Sequence, residues 1–227
     1  MADLATPATL RRSLLDHWHQ QHGAVFDTAG TIRRVWRYKD EQASELSLTD
    51  LSTHPRAGFK GPGTAQWLSH HAIALPHSPN CATRQSDGSL VARLSDNEHL
   101  VLGNLESNAS LPGDLQQRWE HDNPAQCYSL PRADSHSWFA LKGAAAAQVM
   151  SSLCAVNLQP KHFNDGSIAQ TSVARANTII IRDDANHLCF HLLSDVSMAL
   201  YMWEVMLESV KALGGQATGI EQLISAK

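Results

Sequence analysis

The feature that most constrains this chain is an internal repeat. Phe59-Lys60-Gly61-Pro62-Gly63-Thr64-Ala65-Gln66-Trp67-Leu68 is echoed 82 positions later by Leu141-Lys142-Gly143-Ala144-Ala145-Ala146-Ala147-Gln148-Val149-Met150, with Lys, Gly, Ala and Gln in register. A second echo sets Asp96-Asn97-Glu98-His99-Leu100 against Asp184-Ala185-Asn186-His187-Leu188, offset by 88. One insertion of about six residues, an ordinary loop difference, reconciles the two offsets. The chain therefore reads as two diverged copies of a unit of about 80–90 residues, and a repeat of that kind decides the fold before any single element does.

Each copy gives the same order of elements. In the first, an extended stretch ending at Phe59 leads through Gly61-Pro62-Gly63 into a short helix with Ala65, Leu68 and Ala72 on one face. A hairpin follows, Leu90 to Leu94 and His99 to Leu102, then a helix from Pro112 through Trp119 and a strand at Cys127 to Leu130. The second copy runs from the strand Ser137 to Leu141 through the helix Ala144 to Leu153, with a further strand expected around Ile168 to Val173. The strands Thr178 to Arg182 and His187 to Leu192 come next, then a helix from Asp195 to Leu213 capped by Ser194. In that helix Ala199, Met202, Trp203, Met206, Leu207 and Val210 fit the 3.6-residue period, and Gly214-Gly215 ends it. Ahead of both copies, Thr9 to His22 reads as a capped helix with a Leu10, Leu14, Trp18 stripe, followed by two short extended runs. The pattern predicts an α+β fold of two ferredoxin-like β-α-β-β-α-β halves. The divisions are an N-terminal helix and arm over 1–45, a first half over 46–131 and a second over 132–227.

Composition excludes several function classes. Hydrophobic residues make up 43% and charged ones 18% of 227, which marks a globular chain. The net charge is −4 and Arg and Lys are scattered, so there is no basic stripe for nucleic acid. No apolar run reaches the roughly 18–20 residues of a membrane span. The start, Met1 to Pro7, lacks the basic and apolar regions of a signal peptide. Cys81, Cys127, Cys154 and Cys189 are far apart, which reads as reduced thiols in a cytoplasmic protein.

No catalytic constellation emerges from the residues alone. His17-x-His19-x-x-His22 does not place three imidazoles on one helix face, and His70, His71 and His77 lack matching ligands, so the histidines read as solvated rather than metal-binding. Gly61-Pro62-Gly63 could offer backbone N–H groups to an anion, but its copy at Gly143 favours a tight turn where two elements approach closely. Ser135-His136 has no nucleophile elbow around it, and Asp183-Asp184 reads as a hairpin turn.

The amino end resembles the glycine-cleavage T-protein (aminomethyltransferase) superfamily. The matching residues are Gly23-Ala24-Val25-Phe26, Tyr38, Thr49-Asp50-Leu51-Ser52 and the Gly61 to Leu68 helix start. Within that superfamily the second half is similar to the gamma subunit of heterotetrameric sarcosine oxidase, through Ala169-Gln170-Thr171, Thr178 to Ile181, Ser197 and Tyr201-x-Trp203. The resemblance implies one T-protein-like unit serving tetrahydrofolate-linked one-carbon metabolism as a non-catalytic subunit. Its partners would be flavoenzyme subunits that hold the flavin and oxidatively demethylate sarcosine; a homo-oligomer is the other assembly. The alternative is a stand-alone tetrahydrofolate-binding aminomethyl or methyl transferase, or a folate-binding maintenance protein. That reading needs a carboxylate in the cavity between the halves for the pterin ring nitrogens, with Asp50, Asp96, Glu98 and Asp184 as candidates. The chain departs from the family pattern at two places. Ala74 to Asn80 holds no acid where T-proteins carry an Asp, and Arg182 to His187 holds no Glu to grip a pterin.

Overall fold

The computed structural model describes residues 10–106, 110–184 and 187–225. In chain order the elements are α1 Asp16–Gln21, β1 Ala24–Ala29, β2 Ile32–Tyr38, β3 Ser47–Asp50, β4 Arg56–Lys60 and α2 Thr64–His70. Then come β5 Cys81–Arg84, β6 Leu90–Ser95, β7 Glu98–Leu102, α3 Leu111–Asp122, β8 Tyr128–Leu130 and α4 Arg132–Ser135. The chain continues with β9 His136–Lys142, α5 Ala146–Ser151, β10 Ile168–Val173, β11 Ala176–Arg182 and β12 Cys189–Asp195. After a 3-10 turn at Val196–Met198 it closes with α6 Ala199–Ala212, β13 Gln216–Thr218 and α7 Ile220–Ser225.

The architecture is α+β. Its two large sheets run β5-β6-β7-β4-β8 and β10-β11-β12-β9-β3-β13, with β1-β2 as a separate hairpin. The large sheets pack face to face. Leu90, Ala92, Leu100 and Leu102 of one meet Trp138, Ala140, Ile179, Ile181 and Leu193 of the other. Their outer faces are covered by helices. Phe59, Val91 and Val101 pack under α2 and α3 through Trp67, Leu68 and Leu115. Phe139, Leu141, Ile180 and Leu192 pack under α5 and α6 through Met150, Met202, Trp203 and Met206. Side chains alternate along each strand, so a sheet with an inner and an outer partner must be apolar on both faces. That is the order helix, sheet, sheet, helix. One border of the sandwich is stitched by backbone: Ala82 donates to the Gly166 carbonyl at 2.7 Å and Ile168 to the Asn80 carbonyl at 2.9 Å.

The repeated glycine is a close-approach turn in both copies. Gly61 and Gly143 have φ of 132° and 131°. A Cβ at Gly61 would lie 2.1 Å from the Gln126 carbonyl oxygen, and one at Gly143 would lie 1.9 Å from that of Glu45. Each glycine carbonyl accepts the N–H three residues on, Thr64 at 3.0 Å and Ala146 at 2.9 Å. The second echo is different. Lys60 pairs with Glu98 across β4 and β7, and Lys142 with Cys189 across β9 and β12. Structural equivalence therefore runs Glu98 to Cys189, and the Asp96/Asp184 match is three residues out of register.

Several expected boundaries move. The first helix starts at Asp16, not Thr9, which lies outside the described residues. Arg11 instead pairs with β2, its N–H reaching the Thr31 carbonyl at 2.7 Å and its carbonyl accepting from Arg33 at 3.0 Å. Leu14 is consequently 67% exposed. On α2 the buried face is Thr64, Trp67 and Leu68, since the helix ends before Ala72, which has φ of 58°. Strand β12 starts at Cys189 and continues to Asp195, so Ser194 lies buried in a strand, with its Oγ 3.0 Å from Ser137 Oγ. Asp195 caps the 3-10 turn ahead of α6, its carboxylate accepting from the Ser197 N–H at 2.9 Å. The α6 stripe is buried as expected. Residues 216–225, which carry no clear sequence signal, add β13 and α7.

Gly143→Ala should cost at least about 2 kcal/mol in urea unfolding, because it combines an unfavourable backbone conformation with a backbone clash. Gly30→Ala, with nothing within 4 Å of its Cβ, should cost only about 1 kcal/mol. A pH dependence comes from His99, fully buried with both ring nitrogens unpartnered. Burial, reinforced by Arg93, pushes its pKa down to about 4. Between roughly pH 6.5 and 4 the unfolded chain binds a proton there that the folded chain does not, so stability falls as pH falls through this window. Urea titrations at the two ends should show a smaller loss for His99→Leu than for the parent.

Candidate functional site

The sheet interface opens at one end into a cavity of about 110 Å³. Its wall combines apolar Leu90, Leu102, Trp138 and Leu223 with polar Arg84, Lys142, Asp183 and His191. Four elements deliver the polar groups: β5 carries Arg84, β9 carries Trp138 and Lys142, β12 carries His191, and the turn after β11 carries Asp183. Trp138 and Lys142 are four apart on one strand, and Cys189 and His191 two apart on another, so strand alternation turns both pairs to the inner face.

These groups form a directed hydrogen-bond chain. Trp138 Nε1 donates to His191 Nδ1 at 3.1 Å, and His191 Nε2 lies 3.2 Å from Asp183 Oδ2. An indole nitrogen only donates, so the imidazole carries its hydrogen on Nε2 and donates it to the carboxylate. The other oxygen of Asp183 receives Arg84 from the opposite sheet. Burial alone would raise the Asp183 carboxyl, but the bonds from His191 and Arg84 outweigh it and hold the group well below the usual carboxylate range. Cys189, in the same wall, is pushed up to about 12 by burial and by Asp183, which leaves it an inert thiol. Burial lowers the Lys142 ammonium, whose hydrogen bond is a long one of 3.4 Å to the Leu223 carbonyl.

None of the four carboxylates expected to face a ligand lines this cavity. Asp50 is buried elsewhere, accepting from Ser13 Oγ at 2.5 Å and the Ser52 N–H at 2.9 Å, with His19 Nε2 at 3.0 Å. His19 Nδ1 in turn lies 2.7 Å from the Tyr38 hydroxyl. Burial opposes ionisation of Asp50, but these bonds hold its pKa below the ordinary value. Asp96 is exposed and pairs with Arg93 at 3.0 Å. Glu98 bridges Lys60, at 2.9 Å, and Arg132. Asp184 is taken by Arg182, with Nε at 2.8 Å. The cavity groups were hidden for a reason: Asp183 sits in an Asp-Asp pair that reads as a turn, and its partner Arg84 belongs to a distant strand.

The Ser135-His136 pair is not a nucleophile and base. Arg132 Nη1, which can only donate, lies 2.9 Å from His136 Nε2. The imidazole hydrogen therefore sits on Nδ1 and points to Ser135 Oγ at 2.8 Å, the reverse of what proton abstraction needs. Among the described residues no cluster of three or more His, Cys, Asp or Glu could hold a metal ion.

No family model matches the chain. Its sequence is 23% identical to the aminomethyltransferase of Acidobacterium capsulatum over an alignment covering 92% of this chain and 60% of that protein. The aminomethyltransferase T of the glycine cleavage system of Bartonella henselae superposes with a TM-score of 0.70 at 17% identity, over 95% of this chain and 61% of that one. A chain of the heterotetrameric sarcosine oxidase from Corynebacterium sp. U-96 superposes with a TM-score of 0.67 at 18% identity, over 89% of this chain and 95% of that one. This is the T-protein fold. The chain spans about three-fifths of the length of the two aminomethyltransferases it matches, and 95% of the sarcosine oxidase chain.

Within this T-protein fold Asp50 acts as a structural carboxylate. Asp50→Ala should destabilise the chain by at least about 2 kcal/mol in urea unfolding, because it removes the buried acceptor shared by Ser13, Ser52 and His19. Asp96→Ala, at an exposed pair, should stay within about 0.5 kcal/mol of the parent.

Proposed function

We propose that this chain is a T-protein-like accessory subunit, resembling the gamma subunit of heterotetrameric sarcosine oxidase. It would contribute interface, not catalysis, to a flavoenzyme complex that oxidatively demethylates sarcosine in tetrahydrofolate-linked one-carbon metabolism, with flavin held by the partner subunits. The observation that carries this reading is the state of the central cavity. Its Asp183 is committed to Arg84 and His191, and Glu106, the other acid of the wall, is also engaged. No acid of the wall is therefore available to pair with pterin ring nitrogens. The cavity of about 110 Å³ is also small, against roughly 300–1,000 Å³ for sites that enclose drug-sized ligands. The cavity falls short of that range, and we derive no step through tetrahydrofolate.

Further support comes from the near-complete coverage of the sarcosine oxidase chain at 95%. We also propose that the fold arose from two ferredoxin-like units, 46–131 and 132–227, behind an arm over 1–45, with β3 exchanged into the sheet of the second unit. The shared geometry of Gly61 and Gly143 supports this. We place the protein in the cytoplasm, a reading supported by four free cysteines. No helix of the described residues is long and apolar enough to cross a membrane.

The second reading, a stand-alone tetrahydrofolate-binding transferase or folate-binding maintenance protein, draws on the similarity to an aminomethyltransferase over 92% of the chain. Two measurements separate them. Affinity purification of the chain from its native source should retain a flavin-containing partner, visible by absorbance near the flavin bands. Titration calorimetry with tetrahydrofolate should show no binding at millimolar ligand. Micromolar binding, with no flavoprotein retained, would put the stand-alone reading ahead.

A further inference from the structure

The two copies of the repeated lysine differ in one respect that bears on ligand binding. Lys60 and Lys142 follow the same strand position, each one residue before the close-approach glycine. Across the sheet Lys60 faces Glu98 and forms an ion pair with it at 2.9 Å. The register partner of Lys142 is Cys189, a buried thiol. The second copy has thus lost the counterion that the first retains. Glu98 is also held by Arg132, and the Lys60 side chain lies largely in solvent, 58% exposed. At the second there is a cavity.

We propose that Lys142 makes this cavity a receptor for a small organic carboxylate with a compact apolar body. Among the described residues Lys142 forms no ion pair, and its one hydrogen bond is the long contact to the Leu223 carbonyl. An ammonium group taken partly out of water needs a partner of opposite charge or several strong acceptors, and this one has neither. The carboxylate of Asp183, in the same wall, is paired with Arg84 and hydrogen-bonded by His191 and does not serve. The rest of the wall specifies the body of the ligand. Leu90, Leu102, Leu105, Trp138 and Ile224 are apolar, and about 110 Å³ suits a short branched chain or one ring. A zwitterion is disfavoured because its ammonium would meet Lys142 and Arg84 while both acids of the wall, Asp183 and Glu106, are already engaged.

This inference rests on the reading above in one respect, that the cavity is small; it does not depend on which protein assembles with the chain. The test is titration calorimetry of the full chain with isobutyrate and benzoate, each compared with its neutral amide. Each carboxylate should bind at least about tenfold tighter than its amide. Lys142→Met should lose that preference, whereas Lys60→Met, whose lysine is already paired outside the cavity, should retain it. Melting curves of both variants confirm folding, and the comparison of acid with amide on the parent chain stands even if a variant fails to fold. Equal binding of acid and amide, no binding of either carboxylate at millimolar concentration, or an unchanged preference in Lys142→Met would each overturn the proposal. A chain that prefers the carboxylates but retains no flavoprotein would keep this inference and lose the subunit reading. The opposite pair of results would do the reverse.

Discussion

The fold depends on where one short strand is placed. By chain order β3 (Ser47–Asp50) belongs to the first copy of the repeat, yet it lies in the sheet of the second, antiparallel to β9 and parallel to β13. All four of its residues are buried. A strand buried between two neighbours must satisfy its backbone groups on both edges, and β3 does so using residues more than 85 and more than 165 positions away in sequence. Thr49 Oγ1 lies 2.8 Å from Thr218 Oγ1 on the second edge. Its last residue, Asp50, gathers α1 and β2 through Ser13, His19 and Tyr38. The amino arm, the second sheet and the carboxyl end are therefore one cooperative body, and a carboxylate that reads as a ligand candidate in sequence is committed to holding it together.

The same logic runs through the polar interior. A buried polar group is tolerated when each of its bonds is met, and a network that meets all of them fixes its own protonation. The Trp138–His191–Asp183–Arg84 chain crosses from one sheet to the other and has one consistent direction of donation. A hydrogen on His191 Nδ1 would set two donors against each other at Trp138, so the ring hydrogen lies on Nε2, toward Asp183. Arg132 imposes the same restriction on His136. The titratable groups that would suggest catalysis by residue type are spent on structure.

How much of this was legible in the sequence follows from which residues speak for themselves. The α6 stripe, the β6-β7 hairpin and the apolar run Thr178 to Ile181 appear where periodicity puts them, because each buries a face that only one secondary structure can supply. The repeated glycine was also legible, since a close approach of backbones forbids a Cβ. The exchange of β3 was not: four residues buried on both faces show no alternation, and nothing local names the neighbours. The start of α1 was misread because Leu10, Leu14 and Trp18 have helical spacing, while the backbone at Arg11 takes strand partners instead. The Asp96/Asp184 echo was persuasive in letters and wrong in register, a distinction that only cross-strand pairing can make. The cavity residues lie on separate strands with no common motif, and Lys142 stands out only when its register partner is compared with that of Lys60.

The repeated lysine stands in two different settings. Lys60 and Lys142 lie beside the same turn, so the difference between the settings comes from the residues around them. Beside Lys60 a glutamate and an arginine supply charge that salt and water can compete for. Beside Lys142 a smaller, uncharged thiol stands at the register position that the acid holds beside Lys60, and Leu90, Leu102 and Trp138 are held by the packing on either side. A rigid interface that loses one side chain keeps the space that side chain would occupy. The cavity and the unpaired ammonium both go with a thiol in place of an acid across from Lys142, which is the physical reason to read them together as one site.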